Sequence, residues 1–387
     1  MKKVIVLALV AIMCFAMFAA CGKTEEPAQP SAAGTSEASA GAENTGGGEA
    51  AGLKVICLLN GNLGDKSFFD SANKGMERLK SELGVDTKVV EMGFDNTKWE
   101  PALLEASEQD WDVIVVGTYQ MQELLQKVAP QYPDKKYIIF DSEVDYSKED
   151  CGNVYSITFK QNDGAYLAGI VAAGLTSSGA ENANDKKIIS AVCGMDIPVI
   201  NDFAVGYIQG ATETDPDVKV ALSYVGDFND TAKAKEMAMS QFNMGSDVGF
   251  NTAAQAGLGV IDAAKEKKVY AIGVDADQSA TFAETDPDKA NLIVTSVLKN
   301  IDEALIRAIK MHMDGTLKYG EAEALGIAED AVGIAKNDVY MKTVPEDIRK
   351  KVEDAETKIK SGDIQVKTAF DMTTDELTAF KDAVAPN

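Results

Sequence analysis

The chain has 387 residues, a formal net charge of -24, 45% hydrophobic residues and 25% charged ones. So acidic a balance excludes a nucleic-acid binder, which needs a basic footprint, and suits a soluble body exposed outside the cell. A single histidine, His312, and the lack of any C-x-x-C pair argue against Ser-His-Asp chemistry, H-E-x-x-H zinc sites and Cys/His metal clusters, so no enzyme, metal or cofactor is expected.

The chain opens with Lys2 and Lys3, an apolar run from Val4 to Phe18, and then Ala19, Ala20 and Cys21. That run is shorter than the roughly 20 residues needed to span a bilayer, so residues 1–20 read as a secretory signal. Phe18-Ala19-Ala20-Cys21 resembles a bacterial lipobox with Phe in place of the usual Leu. The resemblance implies cleavage before Cys21, lipidation of that cysteine and a membrane anchor on the extracytoplasmic face. Residues 21–51 are rich in Gly, Ala, Ser, Glu and Pro. Such a segment cannot offset its ordering entropy and reads as a flexible tether with a span of about 30 Å.

The remaining body of about 335 residues exceeds the usual size of one core, so two domains are expected. Its first apolar run, "LKVICLLN", leads into "GNLGDKSFFDSANKG" and a helix-period stretch from Ser67 to Leu83. A strand, a glycine turn and a helix start are the layout of an anion cradle. The spacing is only G-x-x-G, from Gly61 to Gly64, and Asp65 puts a negative charge where a phosphate would sit. A neutral, hydroxyl-bearing ligand suits that carboxylate better.

Strand-like runs follow at "TKVVEMG", "DVIVVGT", "KYIIFDS" and "NVYSITF", separated by helical patterns. After the polar break "AENANDKK" a second series begins with "KIISAVCG", "VKVALSYVG", "DVGFNT" and "KVYAIGVD", and "LIVTSVLK" comes last. Two βαβ series predict an α/β fold of two doubly wound, Rossmann-like lobes. Cys57, Cys151 and Cys193 are too scattered for a disulfide framework and are expected as buried free thiols. His312, near the end of an amphipathic stretch, is expected to cap its helix or face solvent.

Ligands of doubly wound sheets sit outside the carboxyl ends of the strands. The residues at those ends are Asn60 and Gly61, Thr118, Asp141, Met195 and Asp196, Asp227 and Phe228, Asn251 and Thr252, Asp275 and Asp277, and Lys299. Hydrogen-bonding groups and aromatics gather there, as a pocket between two lobes requires.

Several segments together, "GDKSFFDSANKG", "QNDGAYLAGIVAA", "CGMDIPVINDFAVGYIQGA", "YVGDFNDTAKAKEMA", "GSDVGFNTAAQAGLGVIDAAKE", "YAIGVDADQS" and "IVTSVLKNIDEAL", resemble in their order the basic membrane lipoprotein family of ABC-transporter substrate-binding proteins. That group includes the purine nucleoside receptor lipoproteins. The resemblance implies a type I periplasmic-binding-protein fold, with residues 52–158 plus 290–314 in an N-terminal lobe and 159–289 plus 315–387 in a C-terminal lobe joined by a hinge. Carried over residue by residue, Phe228 matches an aromatic of the base stack, and Asp277 and Lys299 match the ribose-side pair. Asp141 is expected as a base-edge acceptor and Asp65 as a hydroxyl acceptor; Asn60, Phe68, Thr118 and Asp275 are expected to line the site. The family commonly has S-F-N and an aromatic two residues before the glycine. Here Phe69 and Asn73, four apart on one helix face, exchange those places. A ligand displaced along the helix, or different from a plain purine nucleoside, is the expectation that follows.

The function so implied is a lipid-anchored solute receptor, a monomer, that captures a small ring-bearing solute, a nucleoside first among them, and delivers it to an ABC permease with its ATPase. The alternative is a surface signalling or adhesion lipoprotein that senses a small or sugar-like solute with the same fold.

Overall fold

The computed structural model describes residues 52–386; the expected signal, Cys21 and the tether, all within residues 1–51, lie outside them. The first lobe runs through β1 (Lys54–Leu59), α1 (Phe68–Leu83), β2 (Asp86–Glu91), α2 (Trp99–Glu108), β3 (Val113–Gly117), α3 (Tyr119–Val128), β4 (Lys136–Phe140) and β5 (Val154–Phe159). The chain crosses at Lys160 into α4 (Gln161–Thr176), β6 (Ile188–Cys193), α5 (Pro198–Thr214), β7 (Lys219–Tyr224), α6 (Thr231–Met244), β8 (Ser246–Thr252), α7 (Leu258–Lys267) and β9 (Tyr270–Asp275). Two short helices, α8 (Gln278–Phe282) and α9 (Pro287–Ala290), lead to β10 (Ile293–Lys299). The rest comprises α10 (Ile301–Met313), β11 (Glu321–Leu325), β12 (Val332–Ile334), α11 (Asp338–Thr343), α12 (Glu346–Ser361) and α13 (Thr374–Asp382).

Each lobe is built on a six-stranded sheet, in the order β11-β5-β4-β3-β1-β2 and β12-β10-β9-β8-β6-β7. All pairings are parallel except β12 with β10. Helices cover both faces, so the central strands are buried at nearly every position; each residue of the β3 run VIVVG and of the β8 run SDVGFNT is buried. Cys57 sits between Val89 and Val115 of the flanking strands, and Cys57, Cys151 and Cys193 are all buried and free. The strand order reverses at β1, which lies between β2 and β3, and again at β6, between β7 and β8. Such reversals leave a crevice at the carboxyl ends, because the connections leave on opposite faces of the sheet.

The assignment of residues 290–314 to the first lobe requires correction. β10 pairs with β9 and belongs to the second sheet, while only α10 returns, packing on α1. The short link through α8 and α9 favours a neighbouring parallel strand, and β10 is buried at six of its seven positions, as an interior strand must be. β11, within 315–387, goes the other way and extends the first sheet beside β5. Its sequence EAEAL is polar, which a mostly solvated edge strand tolerates. The lobes are thus joined by three crossings, at Lys160, at Asn300 and at 326–331. These hold one another: Lys160 N–H donates to the Leu325 carbonyl at 2.8 Å and Asn300 N–H to the Ala331 carbonyl at 2.8 Å.

In the second lobe α4 is buried along its whole length, packed on the sheet and against α5. The two helices approach so closely that a Cβ on Gly206 or Gly210 would overlap the backbone carbonyl of Asn162 or Tyr166. His312 is half-buried against Tyr319, its Nδ1 3.0 Å from the tyrosine hydroxyl, and neither caps α10 nor faces open solvent. Among the described residues no helix is long and apolar enough to cross a membrane.

Candidate functional site

The carboxyl ends of both sheets face one another across a cavity of about 330 Å³. Within it lie Asn60 after β1, Thr118 after β3 and Asp141 after β4 from the first lobe. The second lobe contributes Phe228 after β7, Asp275 at the end of β9 and Lys299 at the end of β10. Phe68 and Phe69, in the first turn of α1, complete the eight expected residues that line it. Phe68 and Phe69 pack edge to face at 5.3 Å, and the Phe69 ring lies on Gly61, where any Cβ would strike it. Close packing of a ring is therefore the reason for that glycine.

Charge is concentrated at the meeting of the lobes. Lys299 Nζ donates to Asp141 Oδ1 at 2.6 Å, with the lysine side chain 2% exposed. The ammonium also lies 4.9 Å from the Phe203 ring centre, 5.6 Å from Phe159 and 5.9 Å from Phe68, a cage that favours a cation. Burial raises the Asp141 carboxyl above its usual range although Lys299 opposes it. Burial likewise pushes Asp275 up to about 6, against the pull of Lys299 and of the Ser67 hydroxyl, which donates to it from the other lobe. Oδ1 of Asn60 and Oγ1 of Thr252, both buried and both on residues lining the cavity, have no hydrogen-bond partner among the described residues. Buried polar atoms are rarely left so, and these suit a polar guest.

The strand ends are also bent out of ordinary backbone geometry: Thr118, Asp141 and Asp275 have φ of 73°, 60° and 64°. Aspartate tolerates that region, whereas a β-branched threonine does so only under strain. All three line the cavity, so part of the chain's backbone strain is held at the cleft.

Three expected residues lie outside it. Asp65 is 1% exposed and its oxygens accept from the backbone N–H groups of Ser67, Phe69 and Asp70, at 3.0, 2.9 and 3.2 Å. It holds the start of α1 and does not line the cavity; burial pushes it to about 6 in spite of those bonds. Asp277 caps α8 through the Ala280 N–H and receives both its other bonds from Asn337 Nδ2, at 2.8 and 2.9 Å. Asp275, two residues earlier, stands in the field of Lys299 instead. Asn73 donates to Glu77 on the exposed side of α1. Only the first turn of α1 meets the cleft, and one more turn carries the chain about 5.4 Å beyond it, so the exchange with Phe69 reaches the cavity at Phe69 alone.

Other residues also line the cavity. Met195, Asp227 and Thr252 are among the strand-end residues expected around the pocket. Phe94, Trp99, Tyr119 and Phe203 come from a loop or from helix starts, where periodicity signals only packing. Tyr119 reaches across the cleft, its hydroxyl 3.5 Å from the Met195 sulfur. Among the described residues no group of three or more His, Cys, Asp or Glu is placed to hold a metal ion.

Known proteins are similar to this chain. A protein of Listeria monocytogenes named CD4+ T-cell-stimulating antigen is 30% identical over 79% of this chain and 85% of its own length. An uncharacterized lipoprotein of Pyrococcus abyssi is 34% identical over 74% of this chain and 69% of its own. The crystal structure of an ABC transporter solute-binding protein from Aeropyrum pernix superposes with a TM-score of 0.74 at 28% identity, covering 86% of this chain and all of that one. The family described as ABC transporter substrate-binding protein PnrA-like matches residues 53–369. With that span covering both lobes and the cleft between them, the chain belongs to the PnrA-like family of ABC transporter substrate-binding proteins.

Proposed function

We propose that this protein is a lipid-anchored extracytoplasmic receptor that captures a small ring-bearing solute, a nucleoside first among them, between its lobes and delivers it to an ABC permease. The observation that carries the reading is the make-up of the cavity: one aromatic wall from each lobe, Phe69 and Phe228, around Asp141, Asp275 and Lys299. A planar ring buries well against aromatic faces, while the carboxylates accept and the ammonium donates at its hydroxyls and edge. Asn60 Oδ1 and Thr252 Oγ1 would find their missing partners in the same guest.

The mechanism is capture by closure. In the open protein Asp141, Asp275 and Lys299 are hydrated; hinge rotation about the three crossings exchanges that water for the solute and for contacts between lobes. No bond is broken, and the monomer docks with its lobes closed. Cys21 behind its apolar run, together with a relative named a lipoprotein, supports the anchor.

Calorimetric titration of residues 52–387 with purine and pyrimidine nucleosides is expected to give one-site binding for at least one of them, and Phe228→Ala to weaken it at least tenfold. Neither heat nor thermal stabilisation with any nucleoside would overturn the nucleoside reading. Mass spectrometry of the membrane-bound protein is expected to find acyl chains on Cys21; an intact N-terminal peptide would overturn the anchor.

A further inference from the structure

The cleft does not end at the first cavity. Tyr119, Asp141, Ile197 and Val199 line both that cavity and a second compartment of about 1040 Å³, which continues over the carboxyl ends of β4, β5 and β11. The segment between Ile359 and Phe370 walls it on one side.

Its acidic groups are not equivalent. Asp202, 1% exposed, accepts from Gln161 Nε2 at 2.7 Å, Thr368 Oγ1 at 2.6 Å and the Ala369 N–H at 2.9 Å. Asp141 is paired with Lys299. Asp163, in the first turn of α4, is 8% exposed and lines the compartment, yet among the described residues neither of its carboxylate oxygens has a hydrogen-bond or ion-pair partner. Burial raises its carboxyl to about 6, Asp202 and Glu329 add repulsion, and Lys160 opposes them. A cation entering the compartment would meet a carboxylate with no partner of its own. Oε1 of Gln161, 1% exposed, is a second acceptor without a partner.

We infer that the second compartment receives a cationic arm of the captured solute, an amine or a related group, with Asp163 as its counter-ion. The inference rests on the first cavity being a solute site. A ring held by its edge at Asp141 points a substituent on that edge into the second compartment, because Asp141 lines both. A neutral alkyl arm finds apolar contact there with Ile364 and Val366 but leaves Asp163 alone.

The test titrates three probes into the intact protein at neutral pH: adenosine, adenosine with a hexyl chain on its exocyclic nitrogen, and the same compound with a terminal amine on that chain. The amine is expected to bind at least tenfold more tightly than its hexyl counterpart. That advantage is lost in Asp163→Asn and kept in Asp163→Glu, while the affinity for plain adenosine is the same in all three proteins, which also reports that the variants fold. Equal binding of the two arms by the unsubstituted protein, or an advantage that survives Asp163→Asn, overturns the inference and leaves the first-cavity reading standing. If none of the three probes binds, the inference falls, while the first-cavity reading is decided by the full panel of purine and pyrimidine nucleosides.

Discussion

Lys299 and Asp141 meet from different lobes, Nζ to Oδ1 at 2.6 Å, each at the carboxyl end of a strand in its own sheet. On the capture-by-closure reading, the pair is made as the cleft closes. Closing strips water from both charges, and the attraction between them roughly offsets that loss. Removing one partner is a different matter, since it leaves the other charge buried and alone. Lys299→Met is expected to disfavour the closed form by about 3 kcal/mol or more, on the usual cost of breaking a buried pair. Small-angle scattering of the free protein should report a larger radius of gyration, and Asp141→Asn added to Lys299→Met should restore compactness. Denaturant stability should change by less than about 1 kcal/mol, because the open state hydrates Asp141.

Protons act on closure and on binding with opposite signs. Asp275 has its carboxyl raised by burial from 3.8 to about 6, so the closed fold penalises its ionised form. Its contribution to stability is full below pH 4 and is lost as pH rises through about 6, a swing of roughly 3 kcal/mol at 1.36 kcal/mol per unit. Asp65, also pushed to about 6 by burial, adds in the same direction. In the free protein the Asp275 effect is expected as a smaller population of the closed form, hence a larger radius of gyration by small-angle scattering, at pH 7 than at pH 5, with a smaller difference in Asp275→Asn. Asp65, which opening does not hydrate, lowers the melting temperature at pH 7. Solute affinity should run the other way, falling below pH 6 as a proton takes the lone pair that a ligand hydroxyl would use. Small-angle scattering, thermal unfolding and calorimetry over pH 4 to 8 measure these effects.

The two-sheet architecture was legible because strands buried on both faces are short apolar runs, and the rule about carboxyl ends located most of the charged cavity. It could not decide which sheet "LIVTSVLK" joins, since an interior strand of either lobe has the same composition; the short passage through α8 and α9 decides it. Nor does helical periodicity say which end of a helix meets a cleft. Phe69 and Asn73 share a face of α1, but only the first turn reaches the cavity. Asp65 and Asp277 illustrate a further ambiguity: a carboxylate after a strand can serve a ligand or the next helix's free N–H groups, and both serve the helix. Trp99 and Phe94 enter the cavity from outside any strand end, and the fold alone brings them there.

Thr118 offers a test of strain. Its φ of 73° and ψ of 154° lie in a region that only glycine enters freely, and its hydroxyl accepts from Asn60 Nδ2 at 2.8 Å. Thr118→Ala removes the hydroxyl and keeps the Cβ; Thr118→Gly removes both. Alanine is ordinarily the more stabilising of the two by roughly 0.5–1 kcal/mol. Here the order should invert, with glycine more stable than alanine by about 1 kcal/mol, as read from denaturant midpoints at constant slope. The usual order would show that the strain is not borne at this residue.

The loop before α1 grips the opposite lobe with two consecutive residues. Ser67 donates its hydroxyl to Asp275, the Lys66 carbonyl accepts from Gln278 Nε2 at 3.3 Å, and Lys66 Nζ lies 5.2 Å from the Phe282 ring centre. Lys66 makes this reach with a φ of 54°, a backbone conformation that its hold on the second lobe helps to maintain. Contacts made only after closure slow opening without affecting encounter, so their loss belongs in the dissociation rate. Ser67→Ala removes a hydrogen bond to a charged group, worth about 1.5–3 kcal/mol, although water admitted at the rim recovers part of it. Stopped-flow displacement of bound solute is expected to be about tenfold faster in Ser67→Ala and about threefold faster in Lys66→Ala, on a cation–π contact of roughly 0.5–1 kcal/mol. The association rate should stay within twofold of the unsubstituted protein. A slowed association with unchanged dissociation would place this loop at the entrance of the cleft and not at its closure.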